Sequence, residues 1–316
     1  MLAIVCPGQG SQTPGMLAPW LDLPGVAAHL ERLAEASGTD LQAHGTTSDA
    51  DTIRDTAVAQ PLIVASSLLS AHAVDPHLAT SAGVLAGHSV GEFAAAALAG
   101  VLTEDEALTL VAARGVAMAT AASVTPTGMS AVLGGDPDEV LSTLESLGLT
   151  PANVNGGGQV VAAGDLDSLA ALAKHPPSRA RVIPLQVAGA FHTTYMLSAR
   201  EQLAASAAAL SPRDPVVPLL SNRDGAAVST AAEALSALVA QVAHPVRWDL
   251  CQEMFAAIGV TGMLELAPGG VLTGLARRTL PGVETVALKT PDDLDAARAL
   301  VARHSDEAPD LQENNA

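Results

Sequence analysis

Short apolar runs alternate along the chain with longer segments in which apolar residues recur at helical spacing. The runs Leu2–Cys6 and 84–86 are short and continuously apolar, which is typical of strands buried on both faces. Residues 60–73 read as a buried helix, and the T-E-D-E run at Thr103 forms a capping box that opens a helix through about Ala122. Further strands are predicted at 216–221 and 262–266, further helices at 231–242 and 268–280, and a last strand ending at Leu288.

The middle of the chain repeats strands and helices in a different order. Predicted strands lie at 129–133, 152–154, 159–163 and 181–185, with predicted helices at 136–148 and 165–174. This β-α-β-β-α-β order is that of a ferredoxin-like unit, inserted here between two parts of a larger domain, where it would form one wall of a cleft. We predict a large domain at 1–127 and 189–304, a small subdomain at 128–188, and a disordered, polar and acidic tail at 305–316.

The run Gly87-His88-Ser89-Val90-Gly91 joins the predicted strand 84–86 to a helix that runs to Gly100. It matches G-x-S-x-G, in which a serine at a sharp strand-to-helix turn exposes its hydroxyl and the glycines leave room for the two elements. Ser89 is therefore a candidate nucleophile, and the N–H of Val90 can bind the oxyanion that forms when Ser89 attacks a carbonyl. The alternative is a plain glycine-flanked turn, which the flanking strand and the alanine-rich helix disfavour.

A glycine-rich loop, P-G-Q-G-S-Q from Pro7, follows the first predicted strand. Its spacing fits neither the dinucleotide fingerprint nor the Walker pattern, which would need a lysine after the second glycine. The loop is either a plain turn or, beside Ser89, the source of a second oxyanion donor through the N–H of Gln9. A nucleophile loop normally takes one such N–H from a separate loop.

Two polar residues stand out in apolar surroundings. Arg114 interrupts the small and apolar residues of its predicted helix, so its guanidinium should emerge into a cleft. There it would pair either with a carboxylate or phosphate of a substrate or with a carboxylate of the protein. His192, in the run G-A-F-H-T from Gly189, follows an apolar strand and precedes a helix, where a catalytic base would return to the main sheet. The alternative is a structural, hydrogen-bonded histidine.

The 316 residues are 49% hydrophobic and 15% charged, which excludes a disordered chain and allows one sizeable core, with or without a small second domain. We expect no apolar run long enough to span a membrane, and the chain starts with a strand-like run rather than a signal peptide. These features predict a soluble, cytoplasmic protein. Cys6 and Cys251 match no metal or redox spacing, so they are predicted to be buried thiols, and no metal site is predicted.

The formal net charge is -18, which argues against nucleic acid as a partner because its phosphates would be repelled. An acidic partner would have to find a local basic patch. Candidates for that patch are Arg179, Arg181, Arg277 and Arg278, and the alternative is that they are ordinary solvated arginines.

Taken together, the motifs resemble those of the malonyl-CoA:acyl-carrier-protein transacylase family of fatty-acid and polyketide synthesis over about residues 1–290. The shared motifs are P-G-Q-G-S-Q at Pro7, T-x-x-A-Q-P at Thr56, G-H-S-V-G-E at Gly87, the R-G pair at Arg114, G-A-F-H-T at Gly189, H-P-V-R-W at His244 and P-G-G-V-L-T-G-L at Pro268. The resemblance implies an α/β fold, with a large α/β hydrolase-like domain built on a mostly parallel sheet and an inserted ferredoxin-like α+β subdomain.

The resemblance also implies the roles of individual residues. It makes Ser89 and His192 the catalytic pair, Gln9 and Val90 the backbone oxyanion donors, and Arg114, Met118 and Phe191 the substrate-binding residues. In the family a backbone carbonyl orients the histidine, and this carbonyl falls here at about Arg247, in a turn where His244 replaces the usual asparagine. Phe191 resembles the bulky residue that accompanies a malonyl rather than a methylmalonyl choice in related polyketide acyltransferases.

The implied activity is transfer of a malonyl group from malonyl-CoA to the phosphopantetheine thiol of acyl carrier protein through a malonyl ester of Ser89. It implies no bound cofactor, and we expect a monomer that binds neither nucleic acid nor membrane. One alternative is a serine thioesterase or other hydrolase, which would usually place an acidic residue and then the histidine late in the chain. The other is a non-catalytic acyl-CoA or carrier-protein binding subunit, which would not need a nucleophile.

Overall fold

Two β-sheets organise the chain in the computed structural model, which describes residues 1–305. The strands are β1 (Leu2–Cys6), β2 (Val84–Gly87), β3 (Thr127–Gly134), β4 (Thr150–Gly156), β5 (Gln159–Asp165), β6 (Ala180–Pro184), β7 (Leu219–Leu220), β8 (Ala227–Val228), β9 (Val246–Arg247), β10 (Gly262–Glu265) and β11 (Glu284–Ala287). The helices are α1 (Val26–Ser37), α2 (Leu41–Thr46), α3 (Thr56–Val74), α4 (Gly91–Leu98), α5 (Glu104–Val124), α6 (Pro137–Ser146), α7 (Leu166–Lys174), α8 (Leu197–Ala207), α9 (Ala231–Ala240), α10 (Trp248–Ala257), α11 (Val271–Thr279) and α12 (Leu294–His304). The predicted disordered tail lies, apart from Ser305, outside the described residues.

The larger sheet has the strand order β11-β10-β1-β2-β7-β8. All its neighbours are parallel except the hairpin of β7 and β8, so the predicted α/β class with a mostly parallel sheet is confirmed. The predicted strand at 216–221 is shorter than expected. Its first residue, Val216, donates its N–H to the carbonyl of Ala99 in the turn after α4, and only β7 remains to pair with β2.

Strand β1 shows why its sequence is apolar at every position. Leu2 and Ile4 pack in the apolar core on one face of the sheet, whereas Ala3 and Val5 pack in the core on the other face, beside Trp248. Because both faces of this central strand are covered, no position alternates to polar.

The smaller sheet has the order β6-β3-β5-β4-β9. Its first four strands are antiparallel neighbours and carry α6 and α7 between them, as the β-α-β-β-α-β order predicts. The fifth strand, β9, pairs in parallel with β4 and comes from the segment after residue 189. The larger part of the chain therefore supplies an edge of the smaller sheet, and the division into 1–127 with 189–304 and 128–188 stays a prediction.

Strands β1 and β2 bring two loops to one edge of the larger sheet. The two strands are parallel, and Cys6 lies opposite Gly87 at their carboxyl ends. The loop from Pro7 and the G-x-S-x-G turn therefore leave the sheet side by side, at the edge where open α/β sheets bind ligands.

Two helices, α3 and α5, are long and apolar enough to cross a membrane by length and composition, so the expectation that no such run exists is wrong. Both pack inside the protein: 78% of the apolar window of α3 and 56% of that of α5 is buried. Fifteen of the nineteen residues of α3 are buried, because α1, α2, α4, α5 and α12 pack around it. Such core helices are apolar all round for the same reason that a membrane span is.

Candidate active site

The turn between β2 and α4 holds Ser89 in a strained backbone conformation. Its φ is 51°, in the left-handed region that side chains rarely occupy. A Cβ on Gly87 would lie 2.0 Å from the carbonyl carbon of Gly91, and a Cβ on Gly91 would lie 2.2 Å from the carbonyl oxygen of Cys6. Glycine is required at both positions because strand, turn and helix touch through their backbones, and this close packing leaves the Ser89 hydroxyl facing the cavity described below.

His192 lies directly against this hydroxyl. Its Nε2 atom is 2.7 Å from Oγ of Ser89, and its Nδ1 atom is 2.8 Å from the carbonyl oxygen of Gln241. A carbonyl can only accept a hydrogen bond, so Nδ1 carries the proton and Nε2 is free to accept the hydrogen of the serine hydroxyl. The imidazole thus has the tautomer and the position of a general base toward Ser89.

The backbone partner of this imidazole differs from the expected one. The family resemblance implies a carbonyl at about Arg247, but the acceptor belongs to Gln241. Helix α9 ends at Ala240 and a single 3-10 turn follows, Gln241–Ala243, so the chain leaves the helix with the Gln241 carbonyl next to His192. Arg247 lies further on in β9, where its N–H donates to the carbonyl of Asn222 and its strand pairs with β4.

Arg114 extends from α5 into the same place and is 1% exposed. Its Nη2 donates to Oε1 of Gln241 at 2.8 Å and lies 3.3 Å from Oγ of Ser89, while its guanidinium carbon sits 5.7 Å from the centre of the Phe93 ring. Its Nε has no acceptor among the described residues. A buried guanidinium beside the candidate nucleophile can receive an anionic group.

A buried carboxylate, Glu92, balances this guanidinium. Glu92 accepts hydrogen bonds from the backbone N–H of Asn222 at 2.6 Å and from the side-chain amide of Gln241, whose Nε2 also donates to the carbonyl of Ser89 at 2.9 Å. The Gln241 side chain therefore lies between Glu92 and Arg114 and contacts both. The alternative that Arg114 pairs with a protein carboxylate is only partly right, because the Gln241 amide lies between Arg114 and Glu92. Arg114 forms no direct ion pair in the described chain.

Burial governs the ionisation of these groups. Burial, assisted by the positive charge of Arg114, lowers the pKa of His192 to about 3, although its bond to the Gln241 carbonyl acts in the opposite direction. Burial also lowers the pKa of Arg114 to about 10 and raises the pKa of Glu92 to about 7. At neutral pH the imidazole is thus uncharged and the guanidinium is charged.

Seven of the eight predicted site residues line one cavity of about 510 Å³ between the two sheets. They are Gln9, Ser89, Val90, Arg114, Met118, Phe191 and His192; only Arg247 is not part of the lining. The smaller sheet contributes the opposite wall through Met129, Asn153 and Val161. This volume is in the range of sites that hold a cofactor-sized ligand.

The two predicted oxyanion donors also meet the cavity. Within residues 1–305, neither the N–H of Gln9 nor that of Val90 donates to a protein acceptor. Gln9 is fixed by its own side chain, which donates to the carbonyl of Arg54 and to the hydroxyl of Thr56, the first residue of α3. Two unengaged N–H groups beside an activated hydroxyl can stabilise a tetrahedral oxyanion.

The four candidate arginines of a basic patch are all exposed, and none forms an ion pair with a carboxylate of the described residues. Arg278 donates to Oε1 of Gln159, which lines the cavity, at 3.3 Å. Gln159 lies opposite Leu133, and Leu133 lies opposite Arg181, so Arg181 projects from the same face of the smaller sheet, two strands or about 10 Å away. Two exposed cations therefore lie near Gln159, a residue of the cavity lining.

Sequence reasoning missed Glu92, Asn222 and Gln241. Glu92 is the one charged residue in the apolar helix α4, and Gln241 interrupts an apolar run at the end of α9. Both are polar residues in apolar surroundings, which is the pattern that identified Arg114. Cys6 and Cys251 are buried, unpaired thiols, as predicted, and burial raises the pKa of both. No cluster of three metal-binding side chains occurs within residues 1–305.

Comparison with known proteins gives consistent matches over more than nine-tenths of the chain. The family described as "Acyl transferase domain" matches residues 3–301. The curated "Malonyl CoA-acyl carrier protein transacylase" of Mycobacterium tuberculosis is 53% identical over 298 residues, covering 93% of this chain and 98% of that protein. The crystal structure of MCAT from Mycobacterium tuberculosis superposes with a TM-score of 0.91 at 51% identity, covering 94% of this chain and 99% of that chain. A type II PKS acyl-carrier protein in complex with its malonyl-transacylase matches with a TM-score of 0.88 at 30% identity, covering 94% of this chain and 99% of that one.

Proposed function

Because this chain belongs to the acyl transferase domain family, we propose that it transfers a malonyl group from malonyl-CoA to the phosphopantetheine thiol of an acyl carrier protein. The observation that carries the proposal is the meeting of three side chains in one cavity. Oγ of Ser89 lies 2.7 Å from Nε2 of His192 and 3.3 Å from Nη2 of Arg114. A nucleophile, a base and a carboxylate receptor are the groups that malonyl transfer needs.

In the first half-reaction, Ser89 attacks the thioester carbonyl while Nε2 of His192 takes the hydroxyl proton. The negative charge moves to the carbonyl oxygen, where the N–H groups of Gln9 and Val90 stabilise it. The tetrahedral intermediate then collapses, the carbon–sulfur bond breaks, and the imidazolium returns its proton to the departing CoA thiolate. The product is a malonyl ester of Ser89.

In the second half-reaction the carrier's thiol repeats these steps in reverse. His192 takes the thiol proton, the sulfur attacks the ester, and the serine oxygen recovers its proton as the malonyl group leaves on the carrier. The kinetics are therefore ping-pong. The Gln241 carbonyl keeps the imidazole oriented throughout, and no carboxylate of residues 1–305 bonds its Nδ1.

Arg114 selects the acyl group. The free carboxylate of a malonyl group can accept hydrogen bonds from the Arg114 guanidinium, which lines the cavity 3.3 Å from Oγ of Ser89. An acetyl group lacks that carboxylate and leaves the buried guanidinium without its ligand, which costs more than a missing methyl group does. Met118 and Phe191 limit the remaining space around the acyl chain, and Phe191 disfavours a methyl branch.

The carrier is expected to dock over the arginines at the cavity mouth. The chain as a whole has a net charge of -18, so an acidic carrier is repelled everywhere except at a local basic surface. Arg278 bonds Gln159 of the cavity lining, Arg181 lies on the same face of the smaller sheet, and neither has a carboxylate partner among the described residues. A carrier bound there would place its phosphopantetheine arm at the opening that leads to Ser89.

Further parts of the proposal concern the setting of the reaction. The steps above use only side chains, backbone N–H groups and the two thioesters, so we infer that no bound cofactor or metal is needed. We also infer a soluble, cytoplasmic monomer that binds neither nucleic acid nor membrane. The acidic net charge and the burial of α3 and α5 support this inference.

The deciding experiment is the mass of the intact protein after brief exposure to malonyl-CoA. We expect a mass increase of one malonyl group, and release of CoA that stops after one equivalent until carrier protein is added. Ser89→Ala should abolish the increase, whereas Ser142→Ala, at an exposed serine of α6, should leave it intact. Continuous CoA release in water would indicate a hydrolase, and absence of any adduct on the wild-type protein would indicate a non-catalytic binding subunit.

A further inference from the structure

The side chain of Asn222 holds the backbone of the nucleophile turn. Asn222 follows β7 and is completely buried. Its Oδ1 accepts the N–H of Ser89 at 2.7 Å, and its Nδ2 donates to the carbonyl of Gly87 at 2.7 Å. Both bonds go to main-chain groups on either side of His88, so the amide spans the turn.

These two hydrogen bonds are the ones that one more strand residue would form in the sheet. In a parallel ladder, a residue donates its N–H to the carbonyl before its partner and accepts the N–H after its partner. The Asn222 side-chain amide does this opposite His88, continuing the parallel pairing of β2 with β7 beyond Leu85 and Leu219. A side-chain amide has the same donor and acceptor as a peptide group, so it can take a strand residue's place where the chain itself turns away.

The hydrogen bonds of the Asn222 amide are important because the turn that they hold is strained. Ser89 and His192 are two of the three non-glycine residues with positive φ within residues 1–305. Such a conformation persists only where surrounding contacts over-determine it. The N–H of Ser89 has no other acceptor than Oδ1 of Asn222 in the described chain, so loss of this amide leaves the strained turn free to relax.

Asn222 is itself fixed from two sides. Its backbone N–H donates to Oε1 of Glu92 at 2.6 Å, and its carbonyl accepts the N–H of Arg247 at 2.8 Å. Its Nδ2 also contacts the buried thiol of Cys251 at 3.8 Å. Glu92 thereby connects the backbone of Asn222 to the first turn of α4, the helix that begins directly after Val90.

We propose that Asn222 is a positioning residue for acyl transfer, whose side-chain amide keeps Ser89 in the left-handed conformation that presents Oγ to His192. It is not part of the cavity lining and acts only through the turn. The proposal rests on Ser89 being the nucleophile of the proposed function. It predicts a defect in the acylation step with little effect on substrate binding.

The test compares Asn222→Ala with Ser70→Ala, at another fully buried polar side chain, which donates to the carbonyl of Ser67 and accepts the N–H of Ala267 and forms no hydrogen bond with the turn in the described chain. Stopped-flow CoA release gives the acylation rate constant and the KM for malonyl-CoA. We expect Asn222→Ala to lower the rate constant about 100-fold with KM within threefold, and Ser70→Ala to leave the rate constant within threefold at a comparable loss of stability. An Asn222→Ala rate constant within threefold of wild type would overturn the proposal.

Asn222→Asp keeps the shape of the side chain but makes its hydrogen bonding depend on pH. A pH-dependent loss of activity in this variant is not expected if Asn222 only stabilises the fold. A protonated carboxyl can still donate to the Gly87 carbonyl, whereas a carboxylate cannot. We expect activity that falls as pH rises, with Asn222→Ala low at every pH. Glu92 and the Cys251 thiol face this position, so the wild-type profile is recorded in parallel to subtract their titration. Identical profiles for Asn222→Asp and wild type, with Asn222→Ala also at the wild-type rate, would refute the role.

A fluorophosphonate separates this proposal from the proposed function. The reagent phosphonylates an activated serine hydroxyl with loss of fluoride and requires neither malonyl-CoA nor a carrier. We expect wild-type Ser89 to react and Asn222→Ala to react about 100-fold more slowly. If wild-type Ser89 reacts with the fluorophosphonate but not with malonyl-CoA, the proposed function fails while the slower labelling of Asn222→Ala still supports the positioning role. Equal labelling rates for the two proteins would contradict that role.

Discussion

Nε2 of His192 lies 2.7 Å from Oγ of Ser89, although 103 residues separate the two in sequence. Both residues have left-handed backbones, with φ of 60° and 51°. Each is held by side chains outside the reacting pair. Thr127 accepts the N–H of Ala190 and Thr193 donates to the carbonyl of Ala190 in the loop that carries His192, and Asn222 bonds the turn that carries Ser89.

The environment of His192 predicts an unusual pH dependence. The base must be neutral to accept the Ser89 proton, and burial together with Arg114 lowers the pKa of His192 to about 3, well below the ordinary value of about 6.5. The neutral form therefore persists as the pH falls. We expect the rate of Ser89 acylation, followed by CoA release, to stay within about twofold from pH 8 to pH 5.

Glu92 is the other group that titrates in this range, since burial raises the pKa of its carboxyl to about 7. The pH dependence of Ser89 acylation in Glu92→Gln distinguishes titration of Glu92 from titration of His192. An acid limb near pH 6.5 that persists in Glu92→Gln would show that His192 has an ordinary pKa, and so would contradict its buried environment.

Arg114→Ala should remove the preference for malonyl over acetyl groups. A buried guanidinium that binds a carboxylate contributes about 3–5 kcal/mol, so kcat/KM for malonyl-CoA should fall at least 100-fold, with a much smaller change for acetyl-CoA. Arg213→Ala, at an exposed arginine outside the cavity lining, is the matched control and should change neither value. An unchanged ratio of the two substrates in Arg114→Ala would place the carboxylate receptor elsewhere.

Arg278→Glu should weaken the carrier half-reaction. Reversing this charge at the cavity mouth repels an acidic carrier, and we expect its KM to rise about tenfold at low salt and less at high salt. Single-turnover acylation by malonyl-CoA should be unchanged, and Arg213→Glu should affect neither step. A parallel rise in KM for malonyl-CoA would indicate that Arg278 contacts the CoA phosphates instead.

Gly87→Ala should destabilise the protein strongly, because its Cβ would lie 2.0 Å from the Gly91 carbonyl carbon and 2.2 Å from the Glu92 nitrogen. Two backbone segments would have to separate, so we expect a loss of about 3 kcal/mol in the free energy of unfolding. Gly274 of α11 is the control, since a Cβ there meets nothing within 4 Å.

Gly274→Ala should raise stability by up to about 1 kcal/mol, the difference in helix propensity between the two residues. Urea unfolding monitored by circular dichroism measures both variants. Similar midpoints for the two would mean that the close packing of the nucleophile turn is not needed for stability.

Much of the architecture could be predicted from local sequence patterns. The capping box at Thr103 forms as predicted, and β1 has the predicted bounds. Helix α12 was not predicted, although Leu294, Ala297 and Leu300 are its buried residues at helical spacing. Its pattern spans only eleven residues next to a polar tail, so the periodic signal is short.

By itself, the sequence determined the features that depend on residue type and spacing. The glycines around Ser89, the loop that carries Gln9 and the isolated Arg114 follow from steric and charge requirements that only certain side chains meet. These requirements are local, so they can be recognised along the chain before any contact between distant segments is known.

Only the tertiary structure decided which main-chain groups meet the reacting residues. The carbonyl that orients His192 belongs to Gln241 rather than to Arg247, and the amide that continues the sheet opposite His88 belongs to Asn222. Every residue has a carbonyl, and the residue type of a buried amide does not show which turn it contacts, so neither contact can be recognised from the sequence alone. Where α9 ends and how β7 aligns with β2 fix these contacts, and both are properties of packing rather than of local sequence.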